Sequence, residues 1–155
     1  MEDLIDYDEV LGEMIANTPT ILGFVFEVEQ KNLDEEKLED IFVNVPAVFI
    51  EKNLKKNFLI TPQRAILNID ILQDKAYSSG FFNALPDSDG VVRSVPLFMK
   101  YKDEIYPSLS FEMVRIALDS QKVIVNYSAV GVESVEFGDL NIPLDRFGRL
   151  FINYR

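Results

Sequence analysis

The sequence predicts an α+β fold of the α/β class: one domain over residues 1–155, with a mixed, largely antiparallel sheet and helices packed against it. Three observations predict it. A helix-patterned stretch, residues 4–16, runs directly into an apolar strand at 20–29. Residues 80–97 read as strand, tight turn, strand. After the clearest helical pattern of the chain, residues 107–120, short β-prone runs follow one another with glycines and a proline between them.

The elements follow in order. Leu4, Tyr7, Leu11 and Met14 recur at helical spacing, with Val10 and Ile15 beside them. Pro19 stops this helix, because proline cannot continue it and biases its predecessor towards extended geometry. The run Ile21 to Phe26 is apolar at every position, which suits a central strand covered on both sides. Asn32, with Glu35 three residues on, fits a helix cap and its reciprocal partner, and Leu38, Ile41, Phe42 and Val45 would share one face until Pro46. Residues 48–50 and 58–60 read as short strands around a basic turn, or as a loop pinned by apolar anchors. Residues 62–77 are part helix, with Ile66, Ile69 and Leu72 inward.

Next comes the turn-dense stretch. Pro86-Asp87-Ser88-Asp89-Gly90 offers an Asp-Gly pair able to supply the positive φ a hairpin needs, and residues 91–101 continue as one β-prone run. In the helix at 107–120, Ser108, Glu112, Arg115 and Asp119 form one polar stripe. Leu109, Phe111, Met113, Val114, Ile116 and Leu118 cover the rest, which predicts burial over most of the circumference. Strands are predicted at 122–127, 132–137, 140–142 and 150–154. A second hairpin turn is predicted at 143–148, with Gly148 in left-handed geometry.

Composition narrows the chemistry. The chain has 155 residues, is 48% hydrophobic and carries a net charge of −11, so it buries a real core. Thirteen acids and two bases fall in residues 1–40, and the remainder is neutral. Nucleic acid is disfavoured as a partner, since phosphate contacts need clustered Lys and Arg and the nearest cluster is Lys52 to Lys56. Cysteine and histidine are absent, which removes disulfides, thiol nucleophiles, the commonest metal ligand and the commonest general base. No apolar run approaches the ~20 residues of a membrane helix, and the acidic opening is unlike a signal peptide.

Candidate site residues are few. Asp87 and Asp89 before Gly90 resemble the start of a calcium loop, but the third acidic ligand is missing and Pro96 stands where the bidentate Glu belongs. The turn itself is the simpler reading, and a structural salt bridge is the simplest role for Arg93. As a ligand site, the choice is Arg93 with Asp87 and Asp89 orienting it. Asp70 and Asp74 are spaced to pair on a helix face, a commonplace arrangement. Tyr101, Tyr106 and Tyr127 either line a pocket or are core residues with a wet hydroxyl. No metal site and no cofactor is expected.

One resemblance supplies a functional expectation. The ordered set Gly80-Phe-Phe-Asn83, Pro86-Asp-x-Asp-Gly90-Val-Val-Arg93, Val95-Pro-Leu97, Tyr106-Pro-Ser-Leu109, Ile142-Pro-Leu-Asp145-x-x-Gly148 and Phe151-Ile-Asn-Tyr-Arg155 resembles the CHASE class-two (CHASE2) domain. The resemblance implies an extracytoplasmic sensory domain of a bacterial transmembrane receptor. The outputs it implies are a cyclase, a histidine kinase or a similar domain, with the membrane reached through flanking helices. It implies a small-molecule ligand of unknown identity and no catalysis in this domain. Against the family pattern, the first helix and strand are missing, so an edge is left to cover, and a homodimer is one way to cover it. Two other classes stay open: a structural or dimerisation ectodomain that senses nothing, and a carboxylate-dependent enzyme using Asp87 or Asp70.

Overall fold

A computed structural model of the chain describes residues 6–28, 41 and 43–154. Helix α1 (Tyr7–Ala16) starts where Asp6 accepts the Asp8 N–H at 2.9 Å. It leads into β1 (Ile21–Glu27). β1 is the middle strand of a three-stranded sheet, antiparallel to β3 (Arg64–Ile66) and parallel to β4 (Ser78–Phe81). Short α2 (Asp70–Gln73) lies between those partners in sequence and packs on α1. A second sheet has the order β10-β9-β8-β2. Here β2 (Val48–Lys52) runs parallel to β8 (Lys122–Ser128), and β9 (Gly131–Phe137) and β10 (Leu140–Pro143) follow antiparallel. Two ribbons complete the chain: β6 (Phe98–Tyr101) with β7 (Glu104–Pro107), and β5 (Ser94–Pro96) with β11 (Arg149–Phe151). Helix α3 (Leu109–Ala117) follows β7, capped by the Ser108 hydroxyl. Pairing is mixed and largely antiparallel, as predicted.

Two hydrophobic cores meet at β6. Phe98 packs with Phe111, Leu97 and the buried valines of β8 and β9. Its neighbour Met99 points the other way, into a cluster with Phe24, Phe26, Phe81, Tyr101 and Tyr106. Phe111 sits edge-on between Phe98 and Phe137, each ring centre 4.7 Å away. Phe26 touches four rings, including Tyr101 at 5.7 Å. Helix α3 starts directly over β4, and a Cβ on Gly80 would stand 2.6 Å from the Leu109 Cα. Only glycine lets helix and strand approach this closely.

Several expectations are corrected. The stretch 80–97 is not a hairpin: its turn exists, with Gly90 at φ +82°, but β4 pairs with β1 and β5 pairs with β11. All four residues of β4 are buried, and that burial is met by β1 and α3 rather than by the strand after the turn. The run 91–101 breaks at Leu97, whose N–H bonds Gly148 O, so that 94–96 and 98–101 serve different ribbons. Gly148 is left-handed at φ +76°, yet the turn at 143–148 joins β10 and β11, which do not pair with each other. The run 150–154 is a strand only at 149–151. Residues 58–60 yield a single bridge, Ile60 to Met99. Ile66 and Ile69 face outward, and the helix expected in 62–77 is confined to α2. On α1, Gly12 and Ile15 face the fold while Tyr7, Val10, Leu11 and Met14 lie outside. Most of the helix beginning at Asn32 lies outside the described residues; Ile41 and Val45 are half-buried and carry no regular structure.

The polarity of α3 is inverted. Glu112 is 0% exposed and Arg115 is 3% exposed, while Met113, Val114 and Leu118 are half-exposed. Ser108, Glu112 and Arg115 of the stripe face in beside Phe111, while Asp119 lies outside, because backbone and hydroxyl groups wait at the seam between the sheets. Glu112 accepts from the Ser78 hydroxyl of β4 at 2.5 Å and from Arg115 Nη2 and Nε at 2.6 and 2.8 Å. Arg115 Nη1 donates to Ser120 O at 2.5 Å, just before β8. Each side-chain nitrogen and oxygen of the pair thus has a partner. Arg115→Ala, which strands a buried carboxylate, is expected to cost about 3–5 kcal/mol in urea unfolding; a loss below about 1 kcal/mol would show that the pair is not holding the seam.

Candidate functional site

The turn 86–93 brings the three residues named from sequence together. Asp87 N–H bonds Val91 O at 2.9 Å and Gly90 N–H bonds Asp87 O at 2.8 Å, so the loop closes on itself. Arg93 reaches back across it. Its Nη1 donates to Asp87 Oδ2 at 3.1 Å and Asp89 Oδ1 at 2.9 Å, and Nη2 donates to Asp89 Oδ2 at 2.8 Å. The guanidinium thus bridges the two carboxylates. Arg93 and the Val91 N–H hold the Asp89 carboxyl below its ordinary value of 3.8. The two carboxylates in turn push the Arg93 guanidinium upward. The clamp therefore stabilises the turn above pH 3.8, and that contribution is lost as pH falls through the lower folded value. All three side chains are substantially exposed, so water screens the pair.

The concave surface lies elsewhere. A cleft of about 790 Å³ opens between Ile41, Val43 and Asn44 on one side and the β6–β7 turn on the other, with Gln73, Tyr101 and Tyr106 also among its walls. A second cleft of about 390 Å³ shares Val43, Asp103, Glu104 and Tyr106 with it and reaches Glu51. Asn44 is fixed by donating to Tyr77 O at 2.7 Å, and Gln73 by donating to the Ser79 hydroxyl at 2.7 Å. The tyrosines thus answer to both readings of the sequence. Tyr101, Tyr106 and Tyr127 are buried core residues, and the first two also line the larger cleft. The Tyr106 hydroxyl donates to Glu104 at 2.8 Å.

Beneath the smaller cleft is a polar triad. Glu51 accepts from Lys100 Nζ and from the Tyr127 hydroxyl, both at 2.7 Å. Burial, and then the Glu51 carboxylate, raise the Tyr127 phenol well above its ordinary range, so it remains a proton donor. Sequence reasoning missed Glu51, Lys100, Asn44 and Gln73. Lys100 did leave a signal: a lone ammonium at an inward position of an apolar strand requires a buried partner.

Asp70 and Asp74 stand at the two ends of α2, both exposed, and only Asp74 borders the larger cleft. Ser78 against Glu112 is a hydroxyl–carboxylate contact, but both groups are sealed from solvent and cannot meet a substrate. Among the described residues no group of three or more carboxylates is placed to hold a metal ion, and no helix is long and apolar enough to cross a membrane.

Comparison with known families matches the chain to the CHASE2 domain over residues 2–155. No curated protein and no solved structure matches the chain.

Proposed function

The chain belongs to the CHASE2 domain family, and on that premise we propose that it is the extracytoplasmic, ligand-sensing part of a bacterial transmembrane receptor. CHASE2 is a family of sensory domains of receptors. The match over residues 2–155 is the observation that carries the proposal. In this reading the domain is not an enzyme. It changes conformation on binding and passes that change to an adenylate or guanylate cyclase, a histidine kinase or a similar output. Sensing requires only two conformations that the ligand distinguishes. The double cleft beside the β6–β7 turn gives a ligand somewhere to be enclosed, and Gln73 in its wall is bonded to Ser79 of β4, on which α3 packs.

Two positions are proposed to meet the ligand: the Arg93 clamp with Asp87 and Asp89, and the cleft at Asn44. A thermal-shift screen against metabolites, calcium and magnesium separates them. A ligand held by the clamp loses its stabilising shift in Arg93→Ala and keeps it in Asn44→Ala, and a ligand in the cleft does the reverse. A shift that survives both substitutions contradicts both placements. The extracytoplasmic reading is tested by reporter fusions at Arg155 in the full-length gene product. A periplasm-active reporter is expected to score and a cytoplasm-active one to stay silent; the opposite pattern would overturn the receptor assignment.

A further inference from the structure

Two turns of the same build stand at opposite ends of the β5–β11 ribbon. In the first, Asp87 N–H bonds Val91 O and Gly90 N–H bonds Asp87 O; in the second, Asp145 N–H bonds Arg149 O at 3.0 Å and Gly148 N–H bonds Asp145 O at 2.9 Å. Both glycines are left-handed. An Asp–Arg ion pair four residues apart crosses each turn, Asp89 to Arg93 at 2.8 Å and Asp145 to Arg149 at 2.7 Å. The first turn leads into β5 and the second into β11. These strands are antiparallel, so their entry points lie at opposite ends.

The two ends are unequally secured. The Asp145 side chain is 14% exposed and also accepts the Phe147 and Arg149 N–H groups. The backbone of its turn is held by the Val132 N–H on Arg146 O and the Leu97 N–H on Gly148 O, both at 3.0 Å. Gly148 presses on Leu59, whose Cδ2 would lie 2.6 Å from an added Cβ. At the other end the Asp89 side chain is 53% exposed. Residues 151–154 run alongside with little packing: Phe151 and Tyr154 are exposed and Ile152 is half-buried. Ile152 N–H donates to Arg93 O at 2.9 Å, and the Tyr154 hydroxyl donates to Val92 O at 2.6 Å. Both acceptors are carbonyls whose position the clamp sets.

We propose that residues 149–154 form a strap, hinged at the Asp145 turn and latched by the Asp87–Asp89–Arg93 clamp. With the clamp closed, Val92 and Arg93 hold out their carbonyls to Tyr154 and Ile152. With it open, those two contacts are lost together, while Arg149 and Leu150 stay paired with β5. The strap opens from the clamp end because that end is wet and thinly packed, and local opening starts where buried contacts are fewest. Anything that binds the carboxylates or the guanidinium of the clamp would therefore also set the state of residues 152–154. The strap itself needs no ligand, so it stands or falls apart from the sensory reading.

The test is hydrogen exchange of the 155-residue chain, followed amide by amide by NMR. In Arg93→Ala the Ile152 amide is expected to exchange about fivefold faster. The Leu97 amide, bonded to Gly148 O at the hinge, is expected to keep its wild-type rate. Asp89→Ala cuts the clamp from its other side and is expected to act in the same way. Salt gives a reading that needs no substitution. Raising it to about 1 M is expected to speed Ile152 in the wild type and to leave it unchanged in Arg93→Ala, because only the wild type has the clamp's charge pair to screen. Tyr154→Phe removes the second attachment and is expected to speed Ile152 with the clamp intact. An Ile152 rate indifferent to both clamp substitutions, or to salt in the wild type, overturns the latch. A rate that rises only together with that of Leu97 overturns the hinge, and with either the proposal falls.

Discussion

Strand β6 is buried on both faces, and the rest of the structure is arranged around that constraint. Successive strand side chains point to opposite sides. Phe98 and Lys100 therefore serve the core of the four-stranded sheet, while Met99 and Tyr101 serve the core of the three-stranded one. A strand in this position cannot slip by one residue without exchanging the occupants of two cores at once. Lys100 is the costliest of the four to bury, and Glu51 compensates it from the neighbouring sheet. The same constraint positions the clefts. Tyr101 ends β6 and Tyr106 returns on β7, so the walls a ligand would touch are the reverse side of aromatic packing around Phe26.

The second organising feature is polar. Helix α3 carries a buried ion pair towards the seam between the sheets and leaves apolar side chains in water. Ser78 from β4, Arg115 and Glu112 from α3, and Ser120 at the entry to β8 join in one hydrogen-bonded chain. The Ser120 hydroxyl also accepts the Gly138 N–H at 3.0 Å, which ties in the β9–β10 turn. Apolar packing alone tolerates small rotations of a helix; a guanidinium fixed to a carboxylate and a carbonyl does not. The pair therefore sets the rotation of α3 over the sheet, and Gly80 sets its height.

Local chemistry was legible in the sequence, and long-range pairing was not. The Asp-Gly turn, the left-handed Gly148 and the β-prone runs at 122–143 are written in neighbouring residues, and each is found; the helix expected from Pro107 starts instead at Leu109, with Ser108 as its cap. The two presumed hairpins fail because strand partners are chosen by burial elsewhere: β4 answers to β1 across a gap in sequence, and β11 answers to β5. Periodicity identified which residues of α3 and α1 share a face, but not which face turns inward. On α3 the inward face is mixed: Glu112 and Arg115 turn in beside Phe111, since Ser78 and Ser120 supply partners for them. On α1 the apolar stripe stays outside. At the site, the Asp87–Asp89–Arg93 clamp was legible because all of it lies within seven residues. The Glu51–Lys100–Tyr127 triad joins three distant strands and could be seen only once they were folded together.

If β6 joins the two cores into one cooperative body, they cannot open separately. Native-state hydrogen exchange measures this directly. The account predicts that amides of Phe24 and Phe26 in one core, and of Val123 and Val125 in the other, exchange with the same free energy as global unfolding. Either pair exchanging through a separate, lower-energy opening while the other stays protected would contradict it.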